Sequence, residues 1–290
     1  LLRSADVSRV AAGSALAVDR ALFSNAMTEA VEAESNIDVD RAECAEMPEG
    51  PTIIATGPLT SDSLSGAIQG LLGDDGLAFF DAIAPIVHRD SIDESIVFAA
   101  GRFDEDSDYL NCPMSEPEYV AFIEALNGGE SHPGHDWDAV PYFEGCLPVE
   151  VMGSRGLDTL RFGPMKPIGL TDPRTGERPW AVVQLRREDR AGQMWNMVGF
   201  QTRLRVGEQR RIFTMIPGLS DAEFLRWGSI HRNSYLNYPV CLSEYGSPRT
   251  RPDLLFAGQL TGVEGYTESA ASGILAGINL ARLLNGEEPV

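Results

Sequence analysis

The most constraining stretch of this chain lies near its end, where an apolar run, closely spaced glycines and a small-residue helix pattern follow one another. The apolar run at 254–257 has the composition of a buried strand that ends at Gly258, and Gly258, Gly262 and Gly265 lie within eight residues. Glycines at this density let a backbone turn tightly and approach a ligand closely. A strand, a glycine turn and a helix N-terminus that can face an anion are the parts of a dinucleotide site. An ordinary strand–turn–helix at the edge of a core fits equally well, because no G-x-G-x-x-G is present.

The first part of the chain reads as an α/β layer. A helix is predicted from Asp19 to about Glu34, a short strand at 37–39, a buried strand at 52–58 and a second helix that begins at Ser61 or Ser63. From about residue 84 the pattern changes to short strands separated by turns, which indicates a mostly antiparallel sheet inserted into the first domain. These strands are predicted at 96–100, 148–152, 159–162, 180–185 and 194–200, with helices at 116–126 and 206–216.

Charge is distributed unevenly along the chain. The net charge is −20, which argues against a nucleic-acid partner when taken alone. Residues 151–211, however, hold 12 basic and 6 acidic residues, a balance of +6. This basic block is either a solvated sheet with arginines on its outer face or a contact surface for a polyanion. Lys166 is the single lysine of the chain and stands between two prolines, which indicates a defined role for its ammonium group.

The remaining candidates for chemistry are isolated residues. Cys146 follows a glycine and precedes a proline by two residues, and it is either a nucleophile or a small buried side chain. His231 is a candidate base or a hydrogen-bonded structural residue. The four cysteines form no C-x-x-C pair, which argues against a zinc site or a disulfide framework, and no metal is expected. No apolar run has transmembrane length, so we expect no membrane contact and a cytoplasmic location.

Taken together, these motifs resemble the folate- and FAD-dependent tRNA (uracil-5-)-methyltransferase family, TrmFO. The matching motifs occur in the family's order and cover nearly all of the chain. They lie at 15–20, 50–60, Tyr109–Met114, Phe143–Met152, Phe162–Gly169, 181–186, 198–202, His231–Asn233 and Phe256–Asn279. The glycine-rich stretch is the least specific of them, since the related GidA-type tRNA-modifying flavoproteins have a similar one.

The resemblance implies an α/β fold in which a FAD-binding domain of glutathione-reductase type is split by an inserted α+β domain with a mostly antiparallel sheet. The FAD-binding domain is expected at residues 1–85 and 247–290, and the inserted domain at 86–246. The residues expected to line the flavin are Gly57, Gly258, Gln259, Gly262, Val263, Glu264, Gly265 and Tyr266.

The implied activity is methylation of uracil C5 in the T-loop of tRNA. Methylenetetrahydrofolate donates the carbon, FAD reduced by NAD(P)H carries it, and Cys146 adds to C6 of the uracil as a covalent nucleophile. The target base has to leave its stack to react. Lys166, Arg186 and His231 are the expected contacts to RNA or to the folate.

The chain also departs from the family pattern. The family's first βαβ unit with its G-x-G-x-x-G turn and its second functional cysteine are absent from these 290 residues. We therefore expect a fragment of such an enzyme that by itself is inactive and holds little or no flavin. The alternatives are the same chemistry on ribosomal RNA, a GidA-type tRNA-modifying flavoprotein, and a non-catalytic remnant that binds RNA through residues 151–211.

Overall fold

The structure is a computed structural model that describes residues 1–13, 15–73, 76–102, 108–132 and 147–290, with the backbone alone at 76–82 and 230–234. The chain divides into two compact units. The sheet unit comprises Leu1–Val39, Ala82–His135 and Glu144–Ile230, and the glycine-turn unit consists mainly of Asp40–Asp81 and His231–Val290. The first 39 residues thus cluster with the sheet unit, whereas the sequence interpretation assigned 1–85 to the cofactor domain; the domain boundaries stay a prediction.

The described residues form twelve strands and nine α-helices. The strands are β1 (Arg9–Val10), β2 (Ala17–Val18), β3 (Thr52–Ile54), β4 (Gly76–Ile83), β5 (Ile86–His88), β6 (Phe98–Ala99), β7 (Tyr109–Met114), β8 (Ala181–Arg187), β9 (Met194–Met197), β10 (Phe224–Arg226), β11 (Ser229–Leu236) and β12 (Leu254–Phe256). The helices are α1 (Leu2–Val7), α2 (Arg20–Glu32), α3 (Asp62–Leu72), α4 (Glu116–Asn127), α5 (Val149–Ser154), α6 (Thr159–Phe162), α7 (Val206–Phe213), α8 (Tyr238–Cys241) and α9 (Tyr266–Leu284). None of these helices combines the length and apolar composition that a membrane span needs.

The sheet unit is built around a six-stranded antiparallel sheet in the order β10-β5-β9-β8-β7-β6. Side chains alternate between its two faces. One face packs against α4, α5, α6 and α7 in a core that includes Phe122, Met165, Phe200 and Phe213. The other face carries the polar side chains Asn111, Gln184, Arg186 and Asn196, as the register requires. The predicted antiparallel sheet is therefore confirmed.

The glycine-turn unit has a parallel pair of strands. Leu254, Leu255 and Phe256 of β12 pair with Thr52, Ile53 and Ile54 of β3. One side of this pair packs against α3 and residues near α8, and the other packs against Ala276 of α9. Parallel strands end at the same edge of a sheet, so the turns that follow β3 and β12 emerge together.

Local capping explains where several helices begin. The Asp19 carboxylate accepts hydrogen bonds from the backbone N–H groups of Ala21 and Leu22, at 3.0 and 3.1 Å, and starts α2. The Ser61 hydroxyl accepts from the backbone N–H of Leu64 at 3.4 Å and starts α3. Both starts agree with the sequence predictions.

Three strand predictions are wrong. Residues 148–152 and 159–162 lie in the short helices α5 and α6, and residues 37–39 form no strand. The alternating Val-Glu-Val and Thr-Leu-Arg-Phe patterns resemble strands, but packing against neighbouring elements determines the conformation of these short segments. A Cβ on Gly153 would lie 3.1 Å from side-chain atoms of Leu126 and Asn127, so the glycine lets α5 approach α4 closely. Seven strands were not predicted, namely β1, β2, β4, β5, β7, β10 and β11. Strand β7 contains Asn111 and Pro113, which weaken a strand signal.

Candidate functional site

Two glycine turns lie at the carboxyl edge of the parallel pair. Gly57 follows β3 and Gly258 follows β12, and both have φ 74°, in the left-handed region. A Cβ built on either residue would meet no atom within 4 Å, so the backbone of both turns borders open space. Ligands of open α/β sheets bind beyond the carboxyl ends of the strands. The turns are therefore placed to lie against a ligand.

Threonine and serine hydroxyls hold these turns in shape. The Thr60 hydroxyl donates to the Gly57 carbonyl at 2.9 Å, and the Thr261 hydroxyl donates to the Gly258 carbonyl at 2.8 Å. The backbone N–H of Gly258 donates to the Ser272 hydroxyl oxygen at 2.8 Å. Each turn is thus held by hydrogen bonds to side chains of the protein before a ligand arrives.

The residues between Gly258 and α9 form the second part of the site. Gly258–Thr261 is a single 3₁₀ turn that contains Gln259, and Gly262 ends it with φ 79°. Gly265 has φ 85° and precedes α9. Val263 is half-buried and Glu264 is exposed. Tyr266 is 95% exposed, so its ring is free to cover a ligand.

The N-terminus of α9 already faces a negative charge. The Glu268 carboxylate occupies the position that a side chain on Gly265 would take. An acid in the first helical turn is favourable because it opposes the helix dipole. We therefore assign no phosphate to this helix end, although the sequence pattern suggested one.

One face of α9 is apolar and open. Ile274, Leu275 and Ile278 are 65%, 46% and 47% exposed, and a Cβ on Gly273 or Gly277 would meet nothing within 4 Å. Exposed apolar surface of this kind marks an interaction site. The glycine turns and Tyr266, which begins α9, are the parts of this unit that can lie against a ligand.

The predicted RNA or folate contacts belong to two different units of the chain. Lys166 is half-buried in the loop that follows α6, and Arg186 is half-buried on β8 opposite Tyr109 and Asn196. Both belong to the sheet unit, whereas the predicted cofactor residues belong to the glycine-turn unit. His231 lies on β11, with only its backbone described. Cys146 lies outside the described residues.

A buried acid close to Cys146 in the sequence was not singled out by the motif. The Glu150 carboxylate on α5 accepts hydrogen bonds at 2.8 Å from the Thr202 hydroxyl and from the backbone N–H of Arg203. The Val149 N–H donates to the Gln201 carbonyl at 2.7 Å. Burial raises the pKa of Glu150, and these hydrogen bonds partly offset the rise. The segment that follows Cys146 is therefore anchored to residues 201–203.

Cys112 is a core residue. Its side chain is fully buried in β7, and burial raises the pKa of the thiol to about 12. Cys112 is therefore a packing residue, and its raised pKa excludes it as a thiolate nucleophile.

Comparison with known proteins gives the chain a wider context. Residues 2–288 match the sequence profile of the family described as glucose inhibited division protein A, GidA. The chain is 55% identical over its full length to proteins named methylenetetrahydrofolate–tRNA-(uracil-5-)-methyltransferase TrmFO from Heliobacterium modesticaldum and Geobacter sulfurreducens. It spans 66% and 67% of those relatives, that is, about two thirds of their length.

A solved structure of GidA from Aquifex aeolicus is similar to this chain. The TM-score is 0.69 at 16% identity, over 94% of this chain and 49% of the GidA chain. A second crystal form of the same protein gives a TM-score of 0.67. At this identity the likeness shows the fold alone, and it agrees with the fold class predicted from the sequence.

Proposed function

The chain belongs to the GidA family and, within it, to the TrmFO proteins, and we propose from this membership that it takes part in methylation of uracil C5 in tRNA. The observation that carries the proposal is the 55% identity over the whole chain to proteins named for that reaction. The basic block at 151–211 supports an RNA partner despite the acidic total charge. We place the activity in the cytoplasm.

We propose that FAD binds along the carboxyl edge of β3 and β12. Gly57 and Gly258 let the backbone approach it, and Gln259, Gly262, Val263, Glu264 and Gly265 lie along the connection to α9. The exposed Tyr266 ring would lie against it. The open space beside both glycine turns fits such a ligand, because a side chain there would occupy its place. Held by these residues and reduced by NAD(P)H, the flavin would supply the carrier for the one-carbon unit of methylenetetrahydrofolate and the reducing electrons for the methyl group.

The protein's own part in the chemistry is assigned to Cys146. We propose that its thiolate adds to C6 of the uracil, so that the electron pair of the C5–C6 bond makes C5 a nucleophile. After the carbon is transferred to C5, loss of the C5 proton and release of the thiolate restore the ring. Glu150 holds the segment that follows this cysteine, and Lys166, Arg186 and His231 are assigned to contacts with RNA or folate.

The test is a methylation assay with the full-length gene product. The reaction contains an unmodified tRNA transcript, methylenetetrahydrofolate, FAD and NADPH, and 5-methyluridine is measured by nucleoside mass spectrometry. We expect methylation at a single T-loop uridine. A parallel reaction with ribosomal RNA distinguishes the two RNA substrates: methylation of that RNA alone overturns the tRNA assignment, and methylation of neither overturns the proposed activity.

A further inference from the structure

A loop of the sheet unit is held by a buried polar network. We call residues 163–169 the lysine loop. The Arg102 guanidinium donates to the Lys166 carbonyl and, at 3.3 Å, to the Ile168 carbonyl. Its Nε donates to Gln184 Oε1 at 2.7 Å. A side chain that uses its guanidinium in this way fixes the backbone of the loop.

The network continues into the polar face of the sheet. The Gln184 amide donates to Asn111 Oδ1 at 3.0 Å, and the Asn111 amide donates to the Ala100 carbonyl at 2.9 Å. Both amides are almost fully buried. A buried network of this kind stabilises a single conformation, because each member would leave a partner unsatisfied if it moved.

The backbone of the loop fits closely against its surroundings. Gly169 has φ 80°, and a Cβ there would overlap the backbone carbonyl of Arg102. Met165 and Pro167 are buried. The loop is therefore rigid, with every second side chain directed into the protein.

The alternate side chains Lys166 and Ile168 are half-buried and exposed, respectively. Phe162, directly before the loop, is 72% exposed, and Ile168 is 49% exposed. Phe162 and Tyr266 are the exposed aromatic residues of the described chain, and Tyr266 belongs to the proposed FAD site. The Lys166 ammonium has no hydrogen bond or ion pair with a described residue. Rigid backbone beneath exposed apolar and cationic side chains is the arrangement of a prepared contact surface.

An arginine supports the exposed ring. The Arg161 guanidinium lies 4.0 Å from the centre of the Trp180 ring and 5.7 Å from the centre of the Phe162 ring, and its Nε donates to the Trp180 carbonyl at 3.0 Å. The cation is thereby held beside Phe162. Aromatic rings flanked by fixed cations are the elements that bind unpaired nucleotides, by stacking on bases and attracting phosphates.

We infer that the lysine loop with Phe162 binds an unpaired stretch of RNA: a base stacks on the Phe162 ring, and Lys166 contacts a neighbouring phosphate. The inference rests on the proposed function, which makes RNA the substrate. Charge complementarity favours RNA over a protein partner, because residues 151–211 carry a balance of +6 in a chain of net charge −20. Before RNA arrives, the Arg102 network holds the backbone at Lys166, and the Arg161 guanidinium lies beside the Phe162 ring.

The test compares RNA affinities of the full-length gene product by fluorescence anisotropy with a T-loop hairpin. Phe162→Ala is expected to weaken binding roughly 5- to 150-fold at every salt concentration, as for loss of one stacked base. Phe162→Trp should restore the affinity. Lys166→Gln should weaken binding mainly at low salt and reduce the salt slope by about 1. The matched controls lie outside the basic block: Leu225→Ala, which also shortens a side chain 43% exposed in the sheet unit, and Arg20→Gln, whose guanidinium pairs with Glu188; both should leave the RNA affinity unchanged.

The outcomes separate this inference from the proposed function. Equal affinities of Phe162→Ala and the wild type overturn the inference while leaving RNA binding in place. A wild type that binds no RNA overturns both. A Phe162→Ala protein that keeps its RNA affinity but changes its sedimentation coefficient assigns the loop to a protein contact and also overturns the inference.

Discussion

Three glycines of the glycine-turn unit offer a controlled test of the FAD site. Gly57 and Gly258 lie at the carboxyl edge of the parallel strands, and Gly50 lies at the amino end of β3. Their φ angles are 74°, 74° and 78°, and a Cβ on any of them would meet no atom within 4 Å. Alanine at each position should therefore lower the free energy of unfolding by a similar amount, roughly 1–2 kcal/mol, from the left-handed backbone alone.

The three alanine variants should differ only in ligand binding. At Gly57 and Gly258 the added methyl group occupies space that the proposed FAD needs, so affinity should fall at least about tenfold, which corresponds to roughly 1.4 kcal/mol. At Gly50 the methyl group is remote from that edge, and affinity should stay within about twofold of the wild type. Urea unfolding gives the stabilities, and titration calorimetry with FAD gives the affinities of the full-length gene product. Equal FAD affinities of the three variants would refute the placement of the cofactor.

Three further predictions follow from the same structure. Glu150→Gln should remove a pH dependence of stability. Because the pKa of Glu150 is raised in the folded protein, its contribution to the free energy of unfolding is present below about pH 4.5 and is lost as pH rises through the raised pKa. The free energy of unfolding measured in urea should therefore fall less with rising pH in the variant than in the wild type. Gly169→Ala should lower the melting temperature measured by circular dichroism by several degrees, since the methyl group overlaps the Arg102 carbonyl; an unchanged melting temperature would contradict the fixed loop. Cys146→Ala should abolish uracil methylation at unchanged FAD affinity, and undiminished 5-methyluridine would remove Cys146 from the chemistry.

The elements that the sequence predicted well are those with local determinants. Asp19 and Ser61 each carry the side-chain acceptor that starts a helix, and the apolar run at 254–257 ends at Gly258, so hydrogen bonding and burial within a few residues decide the structure. The helices α5 and α6 were missed because they are too short for propensity to decide. Their conformation depends on distant contacts, such as the fit of Gly153 against α4.

In the candidate site, too, local features could be predicted from the sequence and contacts between distant residues could not. The glycine turns could be predicted because a positive φ and an open approach favour glycine, which is visible in the sequence. The Arg102 network could not, since Arg102, Asn111 and Gln184 are far apart in the chain and only the sheet register brings them together. Phe162 was noted as part of a motif, but a phenylalanine in sequence predicts burial, and only the structure shows that its ring is exposed.

We propose that the methyl group on uracil comes from folate by way of a flavin bound at the glycine turns. The most direct test of this proposal is mass spectrometry of tRNA after reaction of the full-length gene product with methylenetetrahydrofolate deuterated at the methylene carbon, in the presence of FAD and NADPH. The account predicts 5-methyluridine that is heavier by two deuterium atoms in the wild type and is lost in Gly258→Ala at limiting FAD. Unlabelled 5-methyluridine, or none, would contradict it.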